Sequence, residues 1–258
     1  MTKAIFFDVD GTLVSFQTHT ISPTVVDALH RLRAKGIKLF LATGRHPAMI
    51  GYVRSVFPFD GYMTLSGQYC TVGDQVVHRS PMEPQAVEEL VSVALDGSFS
   101  CIFLEEKDIY LNNCINDLTR RFMADLNLDL PPVQDPRRAL GKDLYQAITF
   151  LTRDNEHLLL SRAPHVKTTR WHPEFLDVIP TSGGKDRGMD AILNYLGIPL
   201  EQSMAFGDGE NDLSMLRHAG IGVAMGTASE QVQQGADYVT GTVDEDGIVT
   251  ALEHFGLL

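Results

Sequence analysis

Residues 1–12 read MTKAIFFDVDGT and contain the most informative pattern in the chain. Ala4 to Phe7 is an uncharged, mostly apolar run, which predicts a buried strand. Asp8 and Asp10 follow at once, and then a Gly-Thr pair that is typical of a turn. Two carboxylates at the end of a buried strand are costly unless a positive charge lies between them. A divalent cation held by oxygen ligands explains them most simply, although Asp-Gly is also a common turn pair.

Predicted buried strands like the one at 4–7 recur along the chain. Further buried strands are predicted at 37–42, 61–65 and 203–206, with helices between them, one of which is predicted over 46–57. Strands that alternate with helices predict an α/β fold with a doubly wound parallel sheet. Asp8, Thr43 and Asp208 each follow the end of a predicted strand, and ligands of such sheets bind at that edge.

The middle of the chain has a different order of elements. Residues 82–180 combine predicted helices, one of them over 115–126, with strand pairs, which favours an inserted α+β domain. We therefore predict a discontinuous core domain over residues 1–81 and 181–258, with the insert between its two parts.

Four short motifs carry a family resemblance. Asp-x-Asp-Gly-Thr at 8–12 is followed by Ala-Thr-Gly-Arg at 42–45, Gly-Gly-Lys at 183–185 and Gly-Asp-Gly-Glu-Asn-Asp at 207–212. In this order the set resembles the motifs of the haloacid dehalogenase-like (HAD) phosphohydrolase superfamily. The long insert and the form of the second motif resemble its Cof-type branch, which implies a Rossmann-like core and a large cap domain.

The resemblance also implies roles for individual residues. Asp8 would be the nucleophile that forms an aspartyl-phosphate, and Asp10 the group that protonates the leaving oxygen and later takes a proton from water. An Asp at position 10 favours a phosphatase over a dehalogenase. Thr43, Gly44, Lys185 and Asn211 would bind the substrate phosphate, with Thr43 and Lys185 also catalytic.

The same resemblance implies Mg²⁺ as the cofactor. Its protein ligands would be the side chains of Asp8 and Asp208 and the backbone carbonyl of Asp10, because Mg²⁺ needs few protein oxygens. Asn211 and Asp212 are expected to orient water, phosphate or Lys185 rather than bind the metal.

The third motif departs from the commoner Ser-Lys-Gly form. The local sequence is Ser-Gly-Gly-Lys-Asp-Arg-Gly over 182–188, so Arg187 is the one nearby basic alternative to Lys185. Arg45, at the end of the second motif, is interpreted as a structural residue.

Composition narrows the partners. The formal net charge is −12, which disfavours nucleic acid because neutralising its phosphates needs basic residues. No apolar run has the roughly 20 residues of a membrane span. The first residues show no basic-then-apolar signal segment, so we expect a cytoplasmic protein. The resemblance implies a small phosphate ester as its substrate. The sequence does not indicate an oligomeric state.

The sequence thus predicts a Mg²⁺-dependent phosphatase of small phosphomonoesters, either sugar phosphates or phosphorylated cofactors. Two alternatives remain open at this stage. One is a phosphotransferase such as a phosphosugar mutase, which would share the aspartyl-phosphate. The other is a phosphate-binding regulatory protein with weak turnover.

Overall fold

The computed structural model describes residues 1–125 and 129–258. Its strands are β1 (Ala4–Phe7), β2 (Lys38–Ala42), β3 (Gly61–Thr64), β4 (Tyr69–Val72), β5 (Gln75–Arg79), β6 (Ser100–Glu105), β7 (Ile109–Leu111), β8 (Leu144–Phe150), β9 (Val166–His172), β10 (Phe175–Pro180), β11 (Ser203–Gly207), β12 (Ile221–Ala224) and β13 (Tyr238–Val239). Its α-helices are α1 (Pro23–Ala34), α2 (Gly51–Val56), α3 (Pro84–Leu95), α4 (Asp117–Asp125), α5 (Glu156–Leu160), α6 (Lys185–Leu196), α7 (Leu213–His218), α8 (Glu230–Gln233) and α9 (Gly247–His254).

The chain divides into two compact units. One comprises residues 1–79 and 184–258, and the other residues 80–183. Within the described ranges, no helix has both the length and the apolar character that a membrane crossing requires.

The first unit contains an eight-stranded sheet among its described residues, in the order β13-β12-β11-β1-β2-β3-β4-β5. The pairs from β13 to β3 are parallel, and β4 and β5 add an antiparallel hairpin at one edge. From β1 the chain adds β2 and β3 on one side of that strand, and β11, β12 and β13 later pair on its other side. The doubly wound α/β fold is therefore confirmed, and β1 lies where the strand order reverses.

Strand β1 is buried on both faces of this sheet. Its side chains alternate, so Ile5 and Phe7 pack in one core while Ala4 and Phe6 pack in the other. Helices α1, α2 and α9 contribute to the first core, and α6, α7 and α8 to the second. Each buried Phe contributes about 1.5–3 kcal/mol relative to an exposed one, so this short strand is strongly fixed.

The helix expected over 46–57 is interrupted. The structure has a 3₁₀ turn at Pro47–Met49 and then α2, which begins only at Gly51. His46 caps the 3₁₀ turn, where its Nδ1 accepts a hydrogen bond from the Ala48 amide at 3.1 Å. This early cap and the non-helical backbone at Ile50 separate the two pieces.

A strained turn connects β3 to β4. Leu65, Ser66 and Gly67 have positive φ values of 53°, 54° and 93°. The left-handed region costs a residue with a Cβ about 1–2 kcal/mol, so surrounding contacts must hold it. Two of these contacts go to the second motif, where the Ser66 amide donates to the Thr43 carbonyl at 3.1 Å and the Leu65 amide donates to the Arg45 carbonyl at 3.0 Å.

The other side of this turn faces the start of α6. A Cβ placed on Gly67 would lie 2.3 Å from the carbonyl oxygen of Gly184 and 3.1 Å from the Cα of Lys185. Only glycine allows this close approach. The turn thus fixes the spacing between the second motif and the helix that carries Lys185.

The second unit is an antiparallel sheet with helices. Its five described strands have the order β7-β6-β8-β10-β9, and α3 and α5 contribute to its core. The helix predicted over 115–126 appears as α4 over Asp117–Asp125, and position 126 lies outside the described residues. This mixed architecture agrees with the predicted α+β insert.

The turn between β3 and β4 gives a stability prediction. We expect Gly67→Ala to lower the free energy of unfolding by about 3 kcal/mol, from about 1–2 for the left-handed backbone and about 1–3 for overpacking. Gly36→Ala is the matched control, because Gly36 has a φ of +80° but open space around it. It should cost only about 1–2 kcal/mol. Urea unfolding measures both, and equal losses would contradict the close packing at Gly67.

Candidate active site

The Lys185 ammonium group is the centre of the site. Lys185 is buried and is the first residue of α6. Its Nζ donates to Asp8 Oδ1 at 2.6 Å, to Asp212 Oδ1 at 2.5 Å and to the Ala42 carbonyl at 2.9 Å. An ammonium has three donors, and all three are used here. Lys185 therefore joins the ends of β1 and β2 to the loop after β11.

The alternative basic residue in the third motif is placed differently. The side chain of Arg187 is 64% exposed, and its Nε lies 3.7 Å from Asp186. Lys185, and not Arg187, contacts the aspartate that follows β1.

Asp212 is oriented by the loop that precedes it. Its Oδ2 accepts hydrogen bonds from the amides of Asp208 at 3.1 Å and Gly209 at 3.0 Å. A Cβ on Gly207 would lie 2.5 Å from the Asp212 side chain, so glycine is required where β11 ends. Since Oδ1 binds Lys185, both oxygens of this carboxylate are already engaged.

Asp208 contacts the first motif. Its Oδ1 accepts a hydrogen bond from Thr12 Oγ1 at 2.7 Å. Gly11 has a φ of +85°, and a Cβ on it would lie 2.5 Å from Asp208 Oδ2. Thr12 was not among the predicted site residues, although its place in the Asp-Gly-Thr stretch was the signal that could have identified it.

Three carboxylates are crowded together in this part of the structure. One oxygen each from Asp8, Asp208 and Asp212 lie within 4.8 Å of one another. Burial and the Asp212 carboxylate raise the pKa of Asp8 despite the attraction of Lys185. Burial, with a further contribution from Asp212, raises the pKa of Asp208 to about 7. The negative charge here therefore exceeds what one lysine balances.

This donor set suits a hard divalent cation. Carboxylate oxygens are the ligands that Mg²⁺ prefers, and a cation would relieve the repulsion among them. Asp8 and Asp208 have oxygens that are less engaged than those of Asp212, which is held by Lys185 and two amides. Asp8 and Asp208, whose side chains were predicted as ligands, both belong to this cluster.

Besides Lys185, three residues were predicted to bind phosphate, and they follow β2 and β11 in the chain. Thr43 follows β2 and is buried, and Gly44 comes next in the chain. Asn211 is 8% exposed, and its Oδ1 has no hydrogen-bond partner among the residues that the structure describes. A buried acceptor without a partner is costly, and a bound group could satisfy it.

Asp10 has a partner that sequence reasoning missed. The Arg45 guanidinium donates from Nε to Asp10 Oδ2 at 2.9 Å and from Nη2 to Asp10 Oδ1 at 2.5 Å. Arg45 had been interpreted only as a structural residue. The available signal was its position, since it is a basic residue directly after the strand-end turn of the second motif.

Comparisons with known proteins agree with this geometry. The sequence model of the haloacid dehalogenase-like hydrolase family matches residues 5–252. A putative phosphatase, YkrA of Bacillus subtilis, is 30% identical over 256 residues, which are 99% of this chain and 98% of the relative.

Solved structures give the same result. The HAD subclass IIB sugar phosphatase BT4131 has a TM-score of 0.93 and 42% identity, with both chains covered completely. The phosphatase BT1666 from Bacteroides thetaiotaomicron has a TM-score of 0.91 and 34% identity over 100% of this chain and 96% of its own. The chain therefore belongs to the haloacid dehalogenase-like hydrolase family and is an enzyme of its phosphatase group.

Proposed function

We propose that this enzyme is a Mg²⁺-dependent phosphatase that hydrolyses small phosphomonoesters through an aspartyl-phosphate on Asp8. The observation that carries the proposal is the buried contact between Asp8 and Lys185 beside the Asp208 and Asp212 carboxylates. A carboxylate attacks a phosphate dianion only where their mutual repulsion is offset. Lys185 supplies part of that offset at the position of attack.

In the first half-reaction, an Asp8 oxygen attacks the phosphorus of the ester. The bond from phosphorus to the leaving oxygen breaks, and Asp10 gives its proton to that oxygen. Thr43, Gly44, Lys185 and Asn211 bind the transferring phosphoryl group. The products are an alcohol and the Asp8 aspartyl-phosphate.

In the second half-reaction, water attacks the phosphorus of the aspartyl-phosphate. Asp10 now takes a proton from the water, so it returns to the state in which it began. The bond between phosphorus and the Asp8 oxygen breaks. Inorganic phosphate leaves, and the Asp8 carboxylate is restored.

The proposed metal ligands are the side chains of Asp8 and Asp208 and the backbone carbonyl of Asp10. When bound, Mg²⁺ supplies positive charge that lets the carboxylate and the phosphate approach each other. Asp212 holds Lys185 in place and orients the Asp208–Gly209 backbone.

For the substrate, we propose sugar phosphates or phosphorylated cofactors. The similar structure BT4131 is described as a sugar phosphatase. Another relative, YitU of Bacillus subtilis, is a 5-amino-6-(5-phospho-D-ribitylamino)uracil phosphatase and is 28% identical over 272 residues, covering 98% of this chain and 97% of its own. Release of phosphate across a panel of such esters would identify the class. Recovery of the phosphoryl group on a second sugar would instead indicate a phosphotransferase.

The nucleophile gives the first kinetic prediction. Asp8→Asn should lower kcat by roughly a thousandfold or more, since the amide keeps the shape of Asp8 but is a poor nucleophile. Asp74→Asn, in the exposed turn between β4 and β5, is the control and should retain wild-type turnover. Phosphate release is the measurement. An Asp8→Asn enzyme with a tenth of wild-type activity would exclude Asp8 as the nucleophile.

The carboxylate cluster gives a prediction about pH and metal. The pKa of Asp208 is raised to about 7 in the fold, above its ordinary range. The metal-free protein is therefore stabilised by protonation at acid pH, and that stability is lost as pH rises through about 7. Mg²⁺ replaces the lost proton, so the Mg²⁺-induced rise in Tm should be larger at pH ~8 than at pH ~5.5.

Thermal unfolding of chelator-treated protein, measured with and without Mg²⁺ at the two pH values, tests this coupling between protonation and metal binding. Asp208→Asn is the matched variant, and it should abolish most of the Mg²⁺ effect at both. An equal rise in Tm at the two pH values, or an undiminished rise in Asp208→Asn, would refute the proposed ligand.

A further inference from the structure

The Asp10 carboxylate is held by a two-pronged contact from Arg45. Nε and Nη2 of the guanidinium donate to different oxygens of Asp10, at 2.9 Å and 2.5 Å. The two side chains are only 18% and 10% exposed. Parallel hydrogen bonds from a planar guanidinium fix the plane of a carboxylate as well as its position, which an ammonium cannot do.

Arg45 is itself fixed by the phosphate-binding loop. Its amide donates to Thr43 Oγ1 at 3.1 Å, and its Nη1 donates to the Met49 carbonyl at 3.3 Å. Its own carbonyl accepts from the Leu65 amide at 3.0 Å, in the strained turn between β3 and β4. The orientation of Asp10 is thereby tied to the loop that carries Thr43.

The link between Asp10 and the Thr43 loop matters for the proposed chemistry. Proton transfer to the leaving oxygen needs the Asp10 carboxyl within hydrogen-bond reach and correctly oriented, and such transfer contributes about 10²–10⁴-fold. Thr43 is on the side that receives the phosphoryl group. A loop that holds both residues keeps the proton donor aligned with the phosphate.

A direct role of Arg45 in binding phosphate is less favoured. Three of its nitrogens already donate, two to Asp10 and one to Met49. The Asp10 carboxyl group occupies the guanidinium edge formed by Nε and Nη2 at close range. Lys185, by contrast, contacts Asp8, the proposed nucleophile.

We propose that Arg45 is a positioning residue, which acts on the reaction by holding Asp10 in the orientation that delivers a proton to the leaving oxygen. This inference rests on the proposed phosphatase function. The loss of rate on replacing Arg45 should therefore depend on how much the leaving group needs a proton. p-Nitrophenolate leaves readily without a proton, whereas a sugar alkoxide does not.

The experiment compares kcat/KM for p-nitrophenyl phosphate, phenyl phosphate and glucose 6-phosphate, since this ratio reports the steps through formation of the phosphoenzyme. Arg45→Lys keeps the positive charge but loses the two parallel hydrogen bonds to Asp10. It should lower kcat/KM for glucose 6-phosphate by about 10–100-fold and for p-nitrophenyl phosphate by less than about threefold. The control is Arg54→Lys, because Arg54 lies in the nearby helix α2 and stacks on Tyr62. It should change kcat/KM for neither of these two esters.

A double variant separates positioning of Asp10 from other roles. Asp10→Asn should show the same dependence on the leaving group, and adding Arg45→Lys to it should cause no further loss, because Arg45 acts through Asp10. An equal fall for all three esters in folded Arg45→Lys, or additive losses in the double variant, would overturn the inference alone. If the wild-type enzyme released no phosphate from any ester, the proposed function would fail, and this inference with it.

Discussion

The site depends on one interaction, the Lys185 ammonium held between the Asp8 and Asp212 carboxylates in the interior. Burial alone would lower the pKa of Lys185, but the two carboxylates outweigh that effect and raise it. Removing one member of such a buried pair typically costs about 3–5 kcal/mol, since an unpaired charge is left behind. The same contact joins β1, β2, α6 and the loop after β11, so the packing of these elements and the placement of the Asp8 and Asp212 side chains are coupled.

The geometry around this lysine follows from close backbone approach. Gly11 and Gly67 each lie where a Cβ would collide with another motif, and Gly207 lies where a Cβ would collide with Asp212 of its own motif. The first two contacts bring strand ends and loops from distant parts of the sequence within a few ångströms of one another. The excess of carboxylates over lysine then leaves a place suited to a cation, which connects the packing of the core to the proposed chemistry.

Much of this was predictable from the sequence because buried strands have a strong local signal. The run Ala4–Phe7 predicted β1, and the residues after the predicted strands identified the edge where Asp8, Thr43 and Asp208 lie. Family resemblance added Lys185, whose local sequence alone is unremarkable. The fold class and the enzyme class were correct for these reasons.

Other features had no local signal. The left-handed backbone at Leu65 and Ser66 is held by hydrogen bonds to Arg45 and Thr43, which only the folded chain brings together. The two hydrogen bonds from Arg45 to Asp10 join residues 35 positions apart, and the position of Arg45 after the second motif indicated only that it lies near the site. A pattern along the chain cannot reveal a contact between two loops, so these constraints became visible only in three dimensions.

The most direct test of the account is to trap the covalent intermediate. The enzyme is mixed with a radiolabelled phosphate ester and quenched in acid within the first turnover, and the labelled peptide is then identified. The account predicts label on the peptide that contains Asp8, stable in acid and released by hydroxylamine as an acyl-phosphate should be. Turnover without any acid-stable protein-bound label at the earliest times, or label on a different residue, would contradict it.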